Sequence, residues 1–173
     1  LLENDTFKVG IIAMGVAPEK KDVIKRTKLS DNNINSEHDL KTSHYFLDTS
    51  HLITEDEVKQ AVTELKNNKV DVIVATEAFG VDDPSNEQFV MNIASKLGLP
   101  STASHEISGI YGLEIRTLTA AVNASVLPKT FQVANYVEDA IKNFGVTAPL
   151  MIMKGDGGVT GMDTFRTKPI LTI

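Results

Sequence analysis

The chain has 173 residues, 42% of them hydrophobic and 23% charged, the make-up of one globular domain with a sizeable core. A net charge of −6 without a Lys/Arg-rich run argues against nucleic-acid and anionic-membrane partners. The lack of cysteine excludes disulfides and thiolate zinc sites and fits a reducing, cytoplasmic setting, and no apolar run approaches the ~18 residues of a membrane span.

In chain order, the first element is a buried strand over residues 7–15, Phe-Lys-Val-Gly-Ile-Ile-Ala-Met-Gly. Ala17-Pro18 predicts that no helix starts directly after it. Residues 19–43 are polar and weakly periodic, read as a short helix or a loop. Residues 44–48 suggest a short strand. Thr54-Glu55-Asp56-Glu57 is a capping box. Val58, Ala61, Val62 and Leu65 follow at helical spacing. A β-branched strand is expected over residues 70–75. Asp83-Pro84 predicts a cap and a first helical position, ahead of a buried stripe of Phe89, Val90, Ile93, Ala94 and Leu97 that Gly98 closes.

Residues 99–104 read as a short strand. A helical pattern starts near Ser108 or Glu114 and runs to Phe144, and Pro128 should kink or divide it. Its second half places Phe131, Ala134, Val137, Ile141 and Phe144 on one side. Residues 149–153 form an apolar run expected to be a buried strand, and residues 168–173 suggest another. Strands alternating with helices predict an α/β fold, layered, with a mainly parallel sheet flanked by helices. The chain starts without Met and ends inside an apolar segment, so residues 1–173 are expected to be a single α/β domain, an internal piece of a larger protein.

The main candidate site is Lys154-Gly155-Asp156-Gly157-Gly158, after the run at 149–153. Ligands of open α/β sheets gather at the carboxyl ends of strands, and glycines let the backbone come close to them. Asp156 could act there; equally, it could satisfy its own turn backbone. His105-Glu106 follows a strand end, where a general acid or base could sit, or the pair could face solvent and cap the next helix. Arg116 could bind a carboxylate or phosphate, or lie on the surface. Glu77 reads as a turn carboxylate. His38, His44, His51 and His105 lack metal-ligand spacing, and no phosphate-loop, dinucleotide or zinc-protease motif is present.

These residues resemble the hydantoinase/oxoprolinase family along nearly the whole chain. Leu1-Leu2-Glu3 with Val9-Gly10-Ile11-Ile12 is similar to its first segment, and the capping-box helix with the strand at 70–74 to its second. Ser104-His105-Glu106-Ile107-Ser108, Arg116-Thr117 through Asn123-Ala124 and Pro128 resemble a third. Residues 151–158 and 169–173 resemble the strand, turn and approach that follow. Gly155 stands where many members have Ser, and Leu118-Thr119-Ala120-Ala121 departs from the usual Thr-Thr-Val-Leu.

The resemblance implies an actin-like (ribonuclease H-like) ATPase fold and ATP-dependent opening of a hydantoin or 5-oxoproline ring. It implies ATP and Mg²⁺ as cofactors of the full-length protein, with none tightly bound to this piece, because the family's phosphate loops fall outside it. It implies a small cyclic amide substrate and a second hydantoinase subunit or region as partner. Asp156, His105 and Glu106 would then be catalytic, and Lys154, Gly155, Gly157, Gly158 and Arg116 would line the cleft. The competing expectation is a non-catalytic binding or regulatory module on the same framework.

Overall fold

The structure is a computed structural model and describes residues 6–29 and 40–172. Leu1-Leu2-Glu3, His38 and Ile173, and with them parts of the expected loop at 19–43 and strand at 168–173, lie outside the described residues.

Four parallel strands, β1 (Val9–Gly15), β2 (Thr42–Asp48), β3 (Val72–Glu77) and β4 (Ser101–Ala103), lie in the order β2-β1-β3-β4. β1 is central, and all seven of its residues are buried. A strand covered on both faces has no use for polar alternation, which is why its sequence reads as continuously apolar. The period of two then divides the core. Ile12 and Met14 of β1, with Ile73 and Ala75 of β3, face α2 (Glu55–Asn67) and α3 (Ser85–Lys96). Val9, Ile11 and Ala13, with Val72 and Val74, face α1 (Lys20–Thr27) and the long α5 (Leu113–Asn143). Each fully buried Val, Leu or Ile contributes roughly 1.5–3 kcal/mol. Two such layers account for a stable parallel sheet.

The capping box is present: Thr54 accepts from the Glu57 amide at 3.3 Å, and Glu57 accepts from the Thr54 amide at 2.8 Å. α3 starts one residue later than its sequence suggests, with Pro84 in the cap position. Asp83 still takes the Ser85 amide at 3.0 Å. Gly98 closes α3 at φ +77°, as glycine allows.

Three expectations are corrected. A short 3-10 turn (Ala17–Glu19) follows β1 and leads straight into α1, because proline is tolerated in a first helical turn. Pro128 does not divide α5, which runs unbroken for 31 residues. On the side of that helix named in the sequence, Ala134 is buried and Phe131, Val137 and Phe144 are exposed. Pro169–Thr172 is a 3-10 turn, not a strand.

The segment at 149–153 is corrected as well. Its strand, β5 (Met151–Met153), does not join the main sheet. It pairs antiparallel with β6 (Val159–Gly161), and Met151 and Met153 are exposed. Apolar residues alone did not distinguish a sheet interior from a hairpin. A short α6 (Met162–Thr167) then packs on α5, where buried Asn123 donates to the Thr167 carbonyl at 3.0 Å and accepts from the Ile170 amide at 3.2 Å. Among the described residues no helix is long and apolar enough to cross a membrane.

Candidate functional site

β1 connects to β2 on one side and the chain continues to β3 on the other, so the carboxyl ends of β1 and β3 flank the switch point of the sheet, where ligands of such folds bind. A cluster of buried polar side chains lies beside it, at the ends of β3 and β4. Thr76 comes from β3. Ser104 opens the one-turn α4 (Ser104–Ile107) directly after β4. Glu87 comes from the first turn of α3, and Arg116 and Thr117 come from the first turns of α5. All five are fully buried.

Glu87 is the hub. Its Oε1 accepts from the Glu77 amide at 2.9 Å and the Ser104 hydroxyl at 2.8 Å. Its Oε2 accepts from the His105 amide at 3.0 Å and contacts the His105 Nδ1 at 2.7 Å. Arg116 donates from Nε to Ser104 Oγ at 3.0 Å and from Nη1 to the Ile110 carbonyl at 2.7 Å. Its Nη2 donates to the Glu77 carbonyl. The guanidinium and carboxylate are thus a buried pair bridged by one serine hydroxyl. Such a pair persists only when its polar atoms find other partners, and here each guanidinium nitrogen and each carboxylate oxygen has at least one. Burial pulls the Arg116 guanidinium below its ordinary value, and the Glu87 charge opposes that pull.

Arg116 also joins the two loops that rim the cluster, since Glu77 starts one and Ile110 belongs to the other. A second bond ties these loops: the Tyr111 hydroxyl donates to Asp82 Oδ1 at 2.7 Å. Phe79 sits at φ +61° with its ring exposed, and Ile110 and Tyr111 are exposed beside it. A non-glycine residue in the left-handed region is uncommon and carries strain. Glu77 accepts twice from Asn86 Nδ2 at 3.1 Å. Burial raises the Glu77 carboxyl above its usual range, and the bond from Asn86 works against that shift.

The structure therefore brings His105 and Arg116 together, and both depart from their simplest readings. Arg116 is interior, not a surface residue, and His105 is held by Glu87 rather than facing solvent. Glu106 is not part of that constellation. It lines a cavity of about 600 Å³ bounded by α3 at Met91 and Ser95, by residues 98–102, and by Leu127 and Phe131 of α5. Glu87 itself was not anticipated. Its signal is a charge on the buried stripe, three residues before Val90 and six before Ile93.

Asp156 lies elsewhere, in the loop of the β5–β6 hairpin. Its Oδ1 accepts from the Gly158 amide at 2.8 Å and its Oδ2 pairs with Lys154 Nζ at 2.9 Å. The Lys154 bond, then the Gly158 amide, lower its carboxyl from the usual value. Gly157 takes φ +84°, which lets the loop close. The loop does not stand at an end of the parallel sheet, contrary to the expectation drawn from the run at 149–153.

Four of the five amides of this loop are already engaged. The amides of Lys154 and Gly157 donate to the carbonyls of Gly158 and Lys154, that of Gly155 to Leu171, and that of Gly158 to Asp156. A phosphate cradle needs such amides free to converge on the anion. Among the described residues, no group of three or more His, Asp or Glu could hold a metal ion.

The family described as hydantoinase/oxoprolinase matches residues 116–173, starting at the buried arginine. Two solved structures share the fold. An ATP-dependent caprolactamase from Pseudomonas jessenii aligns with a TM-score of 0.72 and 17% identity, over 99% of this chain and 27% of that one. A nucleotide-free acetone carboxylase aligns with a TM-score of 0.68 and 18% identity, over 99% and 28%. The chain thus spans little more than a quarter of either. No curated protein matches. The fold likeness bears out an α/β architecture with a parallel sheet flanked by helices.

Proposed function

We propose, for a chain whose residues 116–173 match the hydantoinase/oxoprolinase family, that it forms part of a larger ATP-dependent enzyme opening a cyclic amide. The observation that carries this reading is the family match over residues 116–173, whose first two residues, Arg116 and Thr117, belong to the buried cluster. The fold neighbour named as an ATP-dependent caprolactamase supports ring amides as the substrate class. Hydantoin and 5-oxoproline remain the first rings to try.

In this reading the nucleotide and its metal are held by parts of the protein outside this chain, since four of the five amides of the loop at 154–158 are already engaged. The chain supplies the carboxyl edge of the sheet. His105 is the group there able to take or give a proton, and Arg116 fixes the two loops that border it. Asp156 serves the hairpin turn.

The test uses the full-length protein with ATP, Mg²⁺ and a panel of hydantoin, 5-oxoproline and caprolactam. ADP release that depends on one of the rings, and that falls at least about 100-fold in His105→Ala, is the expected result, in the range of a lost general acid or base. Asp156→Asn should retain activity, because Asn makes the same turn contacts. ATP turnover indifferent to every ring would favour the non-catalytic binding module instead.

A further inference from the structure

The geometry points to Glu87 as the positioning residue that fixes His105 as a proton acceptor, with the bare Nε2 of its ring offered to an O–H donor such as water at the carboxyl edge of the sheet. Its part in ring opening rests on the reading above; the protonation pattern itself does not.

The argument is a count of protons. Glu87 is fully buried and makes four polar contacts. Two are the backbone amides of Glu77 and His105, which can only donate. The third is the Ser104 hydroxyl. Arg116 Nε can only donate, and it points at Ser104 Oγ at 3.0 Å, so the serine's own proton is directed to Glu87. A protonated carboxyl would find only donors at its other contacts and could place its O–H on His105 Nδ1 alone, whereas the ionised form accepts from all of them. Glu87 is therefore a carboxylate, with the Arg116 charge beyond Ser104 supporting that form.

A carboxylate only accepts, so the fourth contact, 2.7 Å to His105 Nδ1, places a proton on Nδ1. In the neutral ring Nε2 is then bare. Among the described residues Nε2 has no hydrogen-bond partner, and the side chain is 15% exposed. A proton taken up there, leaving its electron pair on the donor oxygen, gives an imidazolium held against a buried carboxylate.

His44 shows the converse within the same chain. Its Nε2 lies 2.8 Å from Thr27 Oγ1, and that hydroxyl donates to the Val23 carbonyl at 2.7 Å. Thr27 must therefore accept, and the His44 proton sits on Nε2.

The test is a long-range proton–nitrogen NMR spectrum of the nitrogen-labelled chain, recorded where both rings are neutral and assigned with His105→Gln and His44→Gln. His105 is expected to carry its proton on Nδ1 and His44 on Nε2. A proton on His105 Nε2 would overturn the proposal. In Glu87→Gln, with the fold checked by circular dichroism, the His105 preference should be lost; an unchanged Nδ1–H ring in a folded variant would remove Glu87 as its cause. If that variant does not fold, the wild-type spectrum decides alone. Diethyl pyrocarbonate, which acylates a bare imidazole nitrogen, should modify His105 at neutral pH. An inert His105 would mean that no donor from solvent reaches it. None of these readouts involves ATP or a ring substrate, so they stand or fall independently of the amide-opening activity.

Discussion

Arg116 and Ser104 share one hydrogen bond of 3.0 Å from Nε to Oγ, and through it the first turn of α5 is fastened to the end of β4. The same guanidinium holds the Ile110 and Glu77 carbonyls, so one side chain satisfies three acceptors on three segments. Arg116→Ala leaves the buried Glu87 carboxylate without its counter-charge and is expected to cost about 3–5 kcal/mol. Arg116→Lys should recover only part of this, because a compact ammonium cannot span a fork of three acceptors. Urea unfolding followed by circular dichroism measures both. A loss below about 1 kcal/mol in Arg116→Ala would show that the cluster does not hold the fold.

Gly80 offers a second route into the cluster. A Cβ there would stand 2.5 Å from Glu87 Oε1 and 3.0 Å from its Cδ. The Gly80 backbone is one that alanine adopts, so the obstacle is space alone. Gly80→Ala should destabilise by about 1–3 kcal/mol, as overpacking does. It should also move the His105 ring signals, since Glu87 must shift. A variant with wild-type stability and spectra would place Glu87 differently.

His44 predicts a dependence on pH. Burial, then Lys28, lowers its ring from an ordinary 6.5 to about 4. The unfolded chain takes up a proton as pH falls through about 6.5, while the native ring stays neutral until about 4. The contribution is thus fully present above pH 6.5, declines between 6.5 and 4, and is gone below. Its size is at most about 2 kcal/mol once partial exposure of the ring is allowed for. Stability curves of wild type and His44→Gln should converge as the pH drops through that window. Parallel curves would show that His44 does not titrate in this way.

Asn123 is the last case. Its amide holds the Thr167 carbonyl and the Ile170 amide. Asn123→Ala strands both and should cost about 1–3 kcal/mol. Limited proteolysis should then cut first within residues 150–172, while the four-stranded sheet persists. Loss of the whole sheet at the same rate would mean that the two parts unfold together.

Much of the parallel sheet was legible because its strands obey simple chemistry. β1 is apolar throughout and β3 as far as Ala75, and α2 announces itself by a capping box and a clean stripe. The hairpin was not legible: Met151-Ile152-Met153 has the composition of an interior strand, and its pairing with β6 depends on the turn that follows. The exposed second half of α5 shows the same limit, since periodicity gives a face and not its partner. At the site, His105 and Arg116 were visible by type and position. Glu87 was hidden among apolar neighbours on α3, and its role emerges only when β4 brings Ser104 and His105 against it. Asp156 drew attention through its glycines, which here serve a tight turn.

Arg116 and Asn123 are seven residues apart on α5, two turns of one helix, so they project from nearly the same face about 10 Å apart along its axis. The helix therefore acts as a fixed spacer between the buried polar cluster and the segment that carries the hairpin. A force that pulls the turn at Ile170 away from the domain must either break the Asn123 bonds or draw the helix with it. In the second case the guanidinium of Arg116 leaves Ser104, and the distant hairpin has loosened the group that Glu87 holds.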